Sequence, residues 1–149
     1  MNTNNNVLEI KEADFEEKVI NASTSNLILV DFWAPWCGPC KQLTPLIEKV
    51  INNSGGKAKL VKINIDENQQ IAAQLRIQSI PAVFAFKDGR PVDAFQGVIP
   101  ENKIIEFIEK NLGEKLHEDH TEFFESINSL IKEKLYEKAI DELEEFISN

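Results

Sequence analysis

Cys37 and Cys40 are the only cysteines in 149 residues, and two residues separate them. At that spacing a pair in the first turn of a helix can close a disulfide, so the first chemistry the chain suggests is redox chemistry of a dithiol. The pair lies in Trp33-Ala34-Pro35-Trp36-Cys37-Gly38-Pro39-Cys40-Lys41, after the apolar run Leu27-Ile28-Leu29-Val30-Asp31-Phe32-Trp33. Apolar residues then recur at Leu43, Leu46, Ile47, Val50 and Ile51. The run reads as a strand and the recurrence as a helix over residues 40–51. Cys37 therefore falls at a strand-to-helix junction, where unpaired helix N–H groups and the positive end of the helix dipole stabilise a thiolate. It is the expected nucleophile. Cys40, one turn inside, is the expected resolving thiol, which attacks the mixed disulfide and releases the reduced substrate.

The residues around the pair refine this expectation. Gly38 leaves space for a substrate backbone, and Pro39 fixes φ while lacking an N–H that would otherwise donate to the Cys37 sulfur. A thiolate stabilised by few donors makes the dithiol a reductant rather than an oxidant. Zinc is the competing use of such a pair, with His117-Glu118-Asp119-His120 completing a site, but these residues stand far outside usual ligand spacings. Trp33 is expected in the core, and Trp36, beside the nucleophile, as an exposed contact surface for apolar substrates.

Asp31 interrupts an apolar run that shows no alternation, the pattern of a central strand covered on both faces. Burial of its carboxyl would raise its pKa and let it exchange the proton that the Cys40 thiol must lose and regain. The bland alternative is a strand-end aspartate capping the following turn. A lone carboxylate in a buried strand favours the functional reading.

The active stretch, Asp31, Pro45, Lys62-Ile63-Asn64-Ile65-Asp66, Ile80-Pro81 and Gly97 together resemble the thioredoxin family over about residues 7–112. The resemblance implies an α/β fold, a central mixed sheet flanked by helices. It implies a redox-active Cys37–Cys40 disulfide with no bound cofactor and no metal. The partners implied are disulfide-containing proteins as substrates, and thioredoxin reductase or another dithiol donor. It also implies Lys62 as charge partner of Asp31, and a cis Ile80-Pro81 bond lying against Cys37. The Ile80 backbone would then offer strand-like hydrogen bonds to an extended peptide, and Gly97-Val98 a third wall of the groove.

The remaining elements follow from local pattern. Residues 1–6 are polar and read as a flexible tail. Val7–Ile10 reads as a strand, residues 12–20 as a helix burying Phe15, Val19 and Ile20, and residues 21–26 as a loop. Pro45 stands inside the 40–51 helix and is expected to kink it. Further strands are read over residues 60–65, 81–86 and 92–95, the last two joined by a turn at Lys87-Asp88-Gly89-Arg90-Pro91. A short helix passes through Ile71, Ala72 and Leu75, and another spans residues 100–112, with Pro100 at its start and Gly113 at its end.

Charge divides the chain. Residues 1–113 carry 12 basic and 14 acidic side chains, whereas residues 114–149 carry 4 and 11, so most of the net charge of −9 belongs to the C-terminal segment. That balance repels phosphate backbones, and no basic stripe or phosphate loop appears, which disfavours nucleic acid. No stretch has the length of a membrane span and the first residues lack the pattern of a secretory signal. With two paired cysteines, a cytoplasmic protein is the expectation.

The expected organisation is a tail (1–6), a thioredoxin domain (7–113) and an acidic helical hairpin (114–149). In the last, Phe123, Ile127, Leu130, Ile131 and Leu135 share one helical face, and Tyr136, Ala139, Ile140, Leu143, Phe146 and Ile147 another. Leu135-Tyr136-Glu137-Lys138-Ala139-Ile140-Asp141-Glu142-Leu143 resembles part of one tetratricopeptide repeat. The whole then resembles the chaperedoxin family, thioredoxin joined to such repeats, which implies unfolded client proteins as further partners. One hairpin cannot bury its apolar face alone, so it docks, joins another chain or begins a longer array. An acidic solvated tail without clients is the plainer alternative.

Overall fold

Five strands form one mixed sheet: β1 (Val7–Glu9), β2 (Leu27–Trp33), β3 (Ala58–Asn64), β4 (Ala82–Lys87) and β5 (Arg90–Gln96). Their order is β1-β3-β2-β4-β5, with β3 parallel to β1 and β2, and β4 antiparallel to β2 and β5. Among the described residues three α-helices accompany the sheet, α1 (Gly38–Asn52), α2 (Gln69–Gln74) and α3 (Glu101–Leu112). The computed structural model describes residues 6–116. The chain divides into two units, Met1–Leu116 and His117–Asn149. The expected hairpin lies outside the described residues from 117 onward, as do residues 1–5.

Strand β2 is central, and Leu27 through Phe32 are all buried. Successive side chains of a strand point to opposite faces. Leu27 and Leu29 accordingly join Leu43, Ile47 and Ile51 of α1 and Ile104 and Ile108 of α3. Ile28, Val30 and Phe32 join Val19, Ile71 and Phe86 on the opposite face. Fully burying one such side chain contributes about 1.5–3 kcal/mol. Asp31 follows Leu27 and Leu29 at the period of two, so its carboxyl points to the α1 face.

Helix α1 starts where Cys37 takes extended backbone angles and its sulfur accepts from the Cys40 N–H at 3.2 Å. Pro39 occupies the first turn, where a missing N–H is harmless. Pro45 is tolerated inside α1, which continues to Asn52 because Ile47, Val50 and Ile51 anchor its far side in the core. Helix α3 begins after Pro100 and ends at Gly113, whose N–H reaches Glu109 O at 2.8 Å. The β4–β5 turn places both Asp88 and Gly89 at positive φ, 56° and 84°, the twist that a two-residue hairpin needs and glycine allows without strain.

Residues 12–20 do not form the single helix expected of them. Glu12–Asp14 is a 3-10 turn, Glu16–Asn21 a π-helical segment and Ala22–Thr24 another 3-10 turn. Val19 is buried as expected, with Phe15 and Ile20 half-buried. The hydroxyls of Ser23 and Thr24 donate to Ile20 O and Asn21 O, both at 2.7 Å. Such side-chain bonds to preceding carbonyls compete with the regular helical ladder and wind the expected loop into turns.

Candidate active site

The junction between β2 and α1 sets the two sulfurs. Cys37 and Cys40 are disulfide-bonded, their Cα atoms 5.3 Å apart, inside the usual range for such a bond. Both residues are buried, Cys37 to 4% exposure and Cys40 to 1%. They form a small apolar cluster with Ala34, against which Trp33, Ile65 and Ile80 rest. Gly38 and Pro39 between them are exposed, and a Cβ built on Gly38 meets nothing within 4 Å. The surface beside Cys37 is therefore open.

Three further segments frame that opening. Trp36 is 67% exposed, and its indole N–H donates to Asp66 Oδ2 at 3.0 Å, which fixes the ring on the surface. The Ile80-Pro81 bond is cis, as the resemblance implied. Pro81 O accepts the Gly97 N–H at 2.9 Å, and Gly97 has φ of 80°, a conformation glycine takes without penalty. The next residue, Val98, is 42% exposed. Trp36, Ile80 and Val98 thus offer apolar surface in a neighbourhood where the Ile80-Pro81 segment touches the cysteine cluster and is tied to Gly97.

Behind Cys40 the surroundings differ. A cavity of about 300 Å³ is lined by Glu9, Trp33, Cys40, Lys41, Thr44 and Lys62, with Ala34, Pro35 and Pro45. Asp31 is fully buried, and burial pushes its carboxyl up to about 6, against a smaller lowering from the Thr44 hydrogen bond and the Lys62 charge. Thr44 Oγ1 donates to Asp31 Oδ2 at 2.7 Å. Asp31 Oδ1 has no hydrogen-bond partner among the described residues.

The place of Lys62 is refined here, and one sequence expectation, that of Trp33, is corrected. Lys62 lies directly across from Asp31 in the β2–β3 register, yet its ammonium bonds Glu48 Oε2 at 3.0 Å and acts on Asp31 only as a nearby charge. Burial makes the Asp31 carboxyl costly to ionise. Trp33 is half-buried rather than in the core. It ends β2 on the cavity wall, and its indole N–H donates to Glu9 Oε2 at 3.2 Å. Thr44 and Glu48 were not singled out from sequence, although they stand four residues apart on α1, Thr44 bonded to the buried carboxyl and Glu48 to Lys62.

The zinc alternative rests on His117 and His120, outside the described residues. Among the described residues, no group of three or more His, Cys, Asp or Glu is placed to hold a metal ion. No helix among them is long and apolar enough to cross a membrane.

Residues 6–110 match the family model described as Thioredoxin. Proteins named Thioredoxin from Staphylococcus aureus, strains MW2 and COL among them, are 42% identical over 106 residues, covering 71% of this chain and 98% of theirs.

Proposed function

This chain belongs to the thioredoxin family and is a protein-disulfide oxidoreductase whose redox group is the Cys37–Cys40 disulfide, and from that premise we propose that it works as a reductant of protein disulfides. The observation that carries the direction is the donor set around Cys37. The sulfur caps α1 and accepts from Cys40 N–H, but Pro39 withholds the N–H that an ordinary residue would present in that turn. Moderate stabilisation of the thiolate leaves the reduced form less favoured, which makes the dithiol the electron donor.

In the reducing cycle the reduced Cys37 thiolate attacks one sulfur of a substrate disulfide. A Cys37–substrate bond forms, the substrate S–S bond breaks, and its electron pair leaves on the other substrate sulfur, which takes a proton. Cys40 then gives up its thiol proton and attacks Cys37. The Cys37–Cys40 bond forms, the Cys37–substrate bond breaks with its electron pair leaving on the substrate sulfur, which takes a proton from solvent, and the substrate departs as a dithiol, two electrons richer. Asp31 takes the Cys40 proton in this reading, since a carboxyl titrating near 6 is ionised at neutral pH yet basic enough to be protonated transiently. A thioredoxin reductase, or another dithiol donor, returns two electrons and two protons. Trp36, Gly38, Pro39, Ile80, Pro81, Gly97 and Val98 form the substrate groove, and Lys62 moderates the Asp31 charge. A reducing compartment, the cytoplasm, suits a chain whose two cysteines are both in the redox pair.

The apolar spacing within residues 118–147 favours a second role beside this one, binding of unfolded client proteins of the kind chaperedoxins hold. One set of variants tests both. Cys37→Ser in the full chain abolishes reduction of insulin disulfides, and the wild-type pair has a reduction potential on the reducing side, near that of reductants rather than strong oxidants. A potential near that of strong oxidants overturns the direction proposed. A full chain carrying Cys37→Ser and Cys40→Ser that still suppresses aggregation of an unfolded client supports the holding role, and failure to do so removes it.

A further inference from the structure

Asp31 sits at the junction of β2, β3 and α1, and its two carboxyl oxygens are not equivalent. Oδ2 accepts the Thr44 hydroxyl at 2.7 Å, whereas Oδ1 has no partner among the described residues. A helical threonine commonly turns its hydroxyl back to the carbonyl four residues earlier. In this chain that carbonyl belongs to Cys40, and the hydroxyl proton goes instead across to the sheet. Thr44 also lines the cavity behind Cys40, four residues further along the same face of α1. The hydroxyl therefore stands between the buried carboxyl and the space adjoining the resolving sulfur.

We propose that Thr44 is a positioning residue for the dithiol chemistry: its hydroxyl holds Oδ2 of Asp31 and so assigns Oδ1 as the oxygen that carries the exchanged proton. This deepens the acid–base role given to Asp31 and rests on it. The chemistry follows from the donor count. A threonine hydroxyl has one proton, and while that proton is given to Oδ2 the ionised carboxylate is stabilised and Oδ1 is the free basic site. When Asp31 takes a proton from the Cys40 thiol, an O–H bond forms at Oδ1 and the S–H bond of Cys40 breaks, its electron pair staying on sulfur. Thr44 keeps its bond throughout and is not itself consumed. The hydroxyl also opposes the upward push of burial on the carboxyl, so it sets the pH at which Asp31 becomes a base.

The charged groups that face Asp31 are few. Lys62 lies across from it on β3 and is paired with Glu48 of α1, and Glu9 acts from β1. On the other side β4 places Val83 opposite, which is uncharged. None of these donates to either oxygen, so the hydroxyl is the group whose loss the carboxyl should feel first.

The test is a carbon-13 NMR titration of the Asp31 carboxyl in the full-length oxidised chain, with the pH dependence of insulin reduction measured alongside. Thr44→Val keeps the shape and deletes the donor, and its Asp31 midpoint is expected to move up by about one pH unit, taking the rise of the pH–rate curve with it. Thr44→Ser retains a donor and is expected to restore the wild-type midpoint. Thr44→Ala replaces the valine variant should the latter fold poorly. An unchanged or lowered midpoint in Thr44→Val or Thr44→Ala, or a serine variant displaced as far as valine, overturns the proposal. Asp31→Asn separates the two readings. If it leaves the pH–rate curve in place, the acid–base role of Asp31 fails, while the hold of Thr44 on the carboxyl is still decided by the titration alone.

Discussion

Two sulfurs that share one covalent bond meet quite different surroundings. Cys37 faces an open side, with exposed Trp36 and Val98, a Gly38 that has nothing over it, and the Ile80-Pro81 segment against the cysteine cluster. Cys40 faces a cavity of about 300 Å³ whose wall carries Thr44, Lys62 and Glu9, with Asp31 buried behind it. The Cys37 side has apolar surface and room, with the Asp66 carboxylate holding the Trp36 indole at its surface. The Cys40 side has hydroxyl and charge, set into the sheet and the helix. The division has a physical reason. A recognition surface must meet many substrates and gains from exposed apolar area, whereas a proton acceptor needs a shifted pKa, which solvent would erase.

The sharpest way to break this contrast is at Cys40. In the proposed cycle Cys40→Ser leaves the attacking sulfur and its groove in place but removes the resolver, so the mixed disulfide should persist. Turnover of insulin is expected to fall at least ~10³-fold, with a covalent chain–substrate adduct accumulating on non-reducing gels. Near-normal turnover in this variant would mean that the Cys40 side does no work in resolution.

Asp31→Asn comes next, and its effects on stability and activity have opposite signs. The carboxyl is raised from 3.8 to about 6 in the fold, so between those values the folded chain holds a proton that the unfolded chain has lost. Stability therefore declines as pH rises through that window, and above about pH 6 the full penalty applies, about 3 kcal/mol from two pH units. This penalty is the same size as the gain from burying one leucine, which is why the core can carry it. Asp31→Asn is expected to stabilise the chain by up to about 3 kcal/mol at pH 7.5 and by nothing below pH 4, read by denaturant unfolding. Its insulin reduction at neutral pH is expected to fall about 10- to 100-fold. A variant that gains stability without losing rate would keep the buried carboxyl and discard its catalytic part.

How much of this was legible in the sequence follows the same divide. The β2–α1 junction and the placing of Cys37 at the helix start were readable because apolar period and capping chemistry are local. Burial of Asp31 was readable because its neighbours show no alternation. What lay between α1 and the sheet was not. Thr44 and Glu48 look like ordinary surface residues in a helix, and only the register Asp31↔Lys62 together with the rotation of α1 brings Thr44 onto the carboxyl and Glu48 onto Lys62. Lys62 was readable as a charge beside Asp31, but its hydrogen bond to Glu48 was not, because it depends on how α1 is turned toward the sheet. Residues 12–20 carried helical spacing, yet hydroxyl bonds from Ser23 and Thr24, which periodicity does not register, accompany its break into turns.

Trp36→Ala probes the open side and should give the smallest effect. The indole is 67% exposed and its N–H is shared between the two surface oxygens of Asp66, at 3.3 and 3.0 Å, so the fold loses little, within about 0.5 kcal/mol. In the proposed reading, what is lost is an apolar face beside the nucleophile. An exposed aromatic contact of this kind accounts for about 1 kcal/mol of binding, so KM for insulin is expected to rise about fivefold with kcat nearly unchanged. The split between the two constants matters more than the size of either. A fall in kcat at constant KM would put Trp36 in the exchange step itself, and the separation of a recognising side from a proton-handling side would have to be redrawn around it.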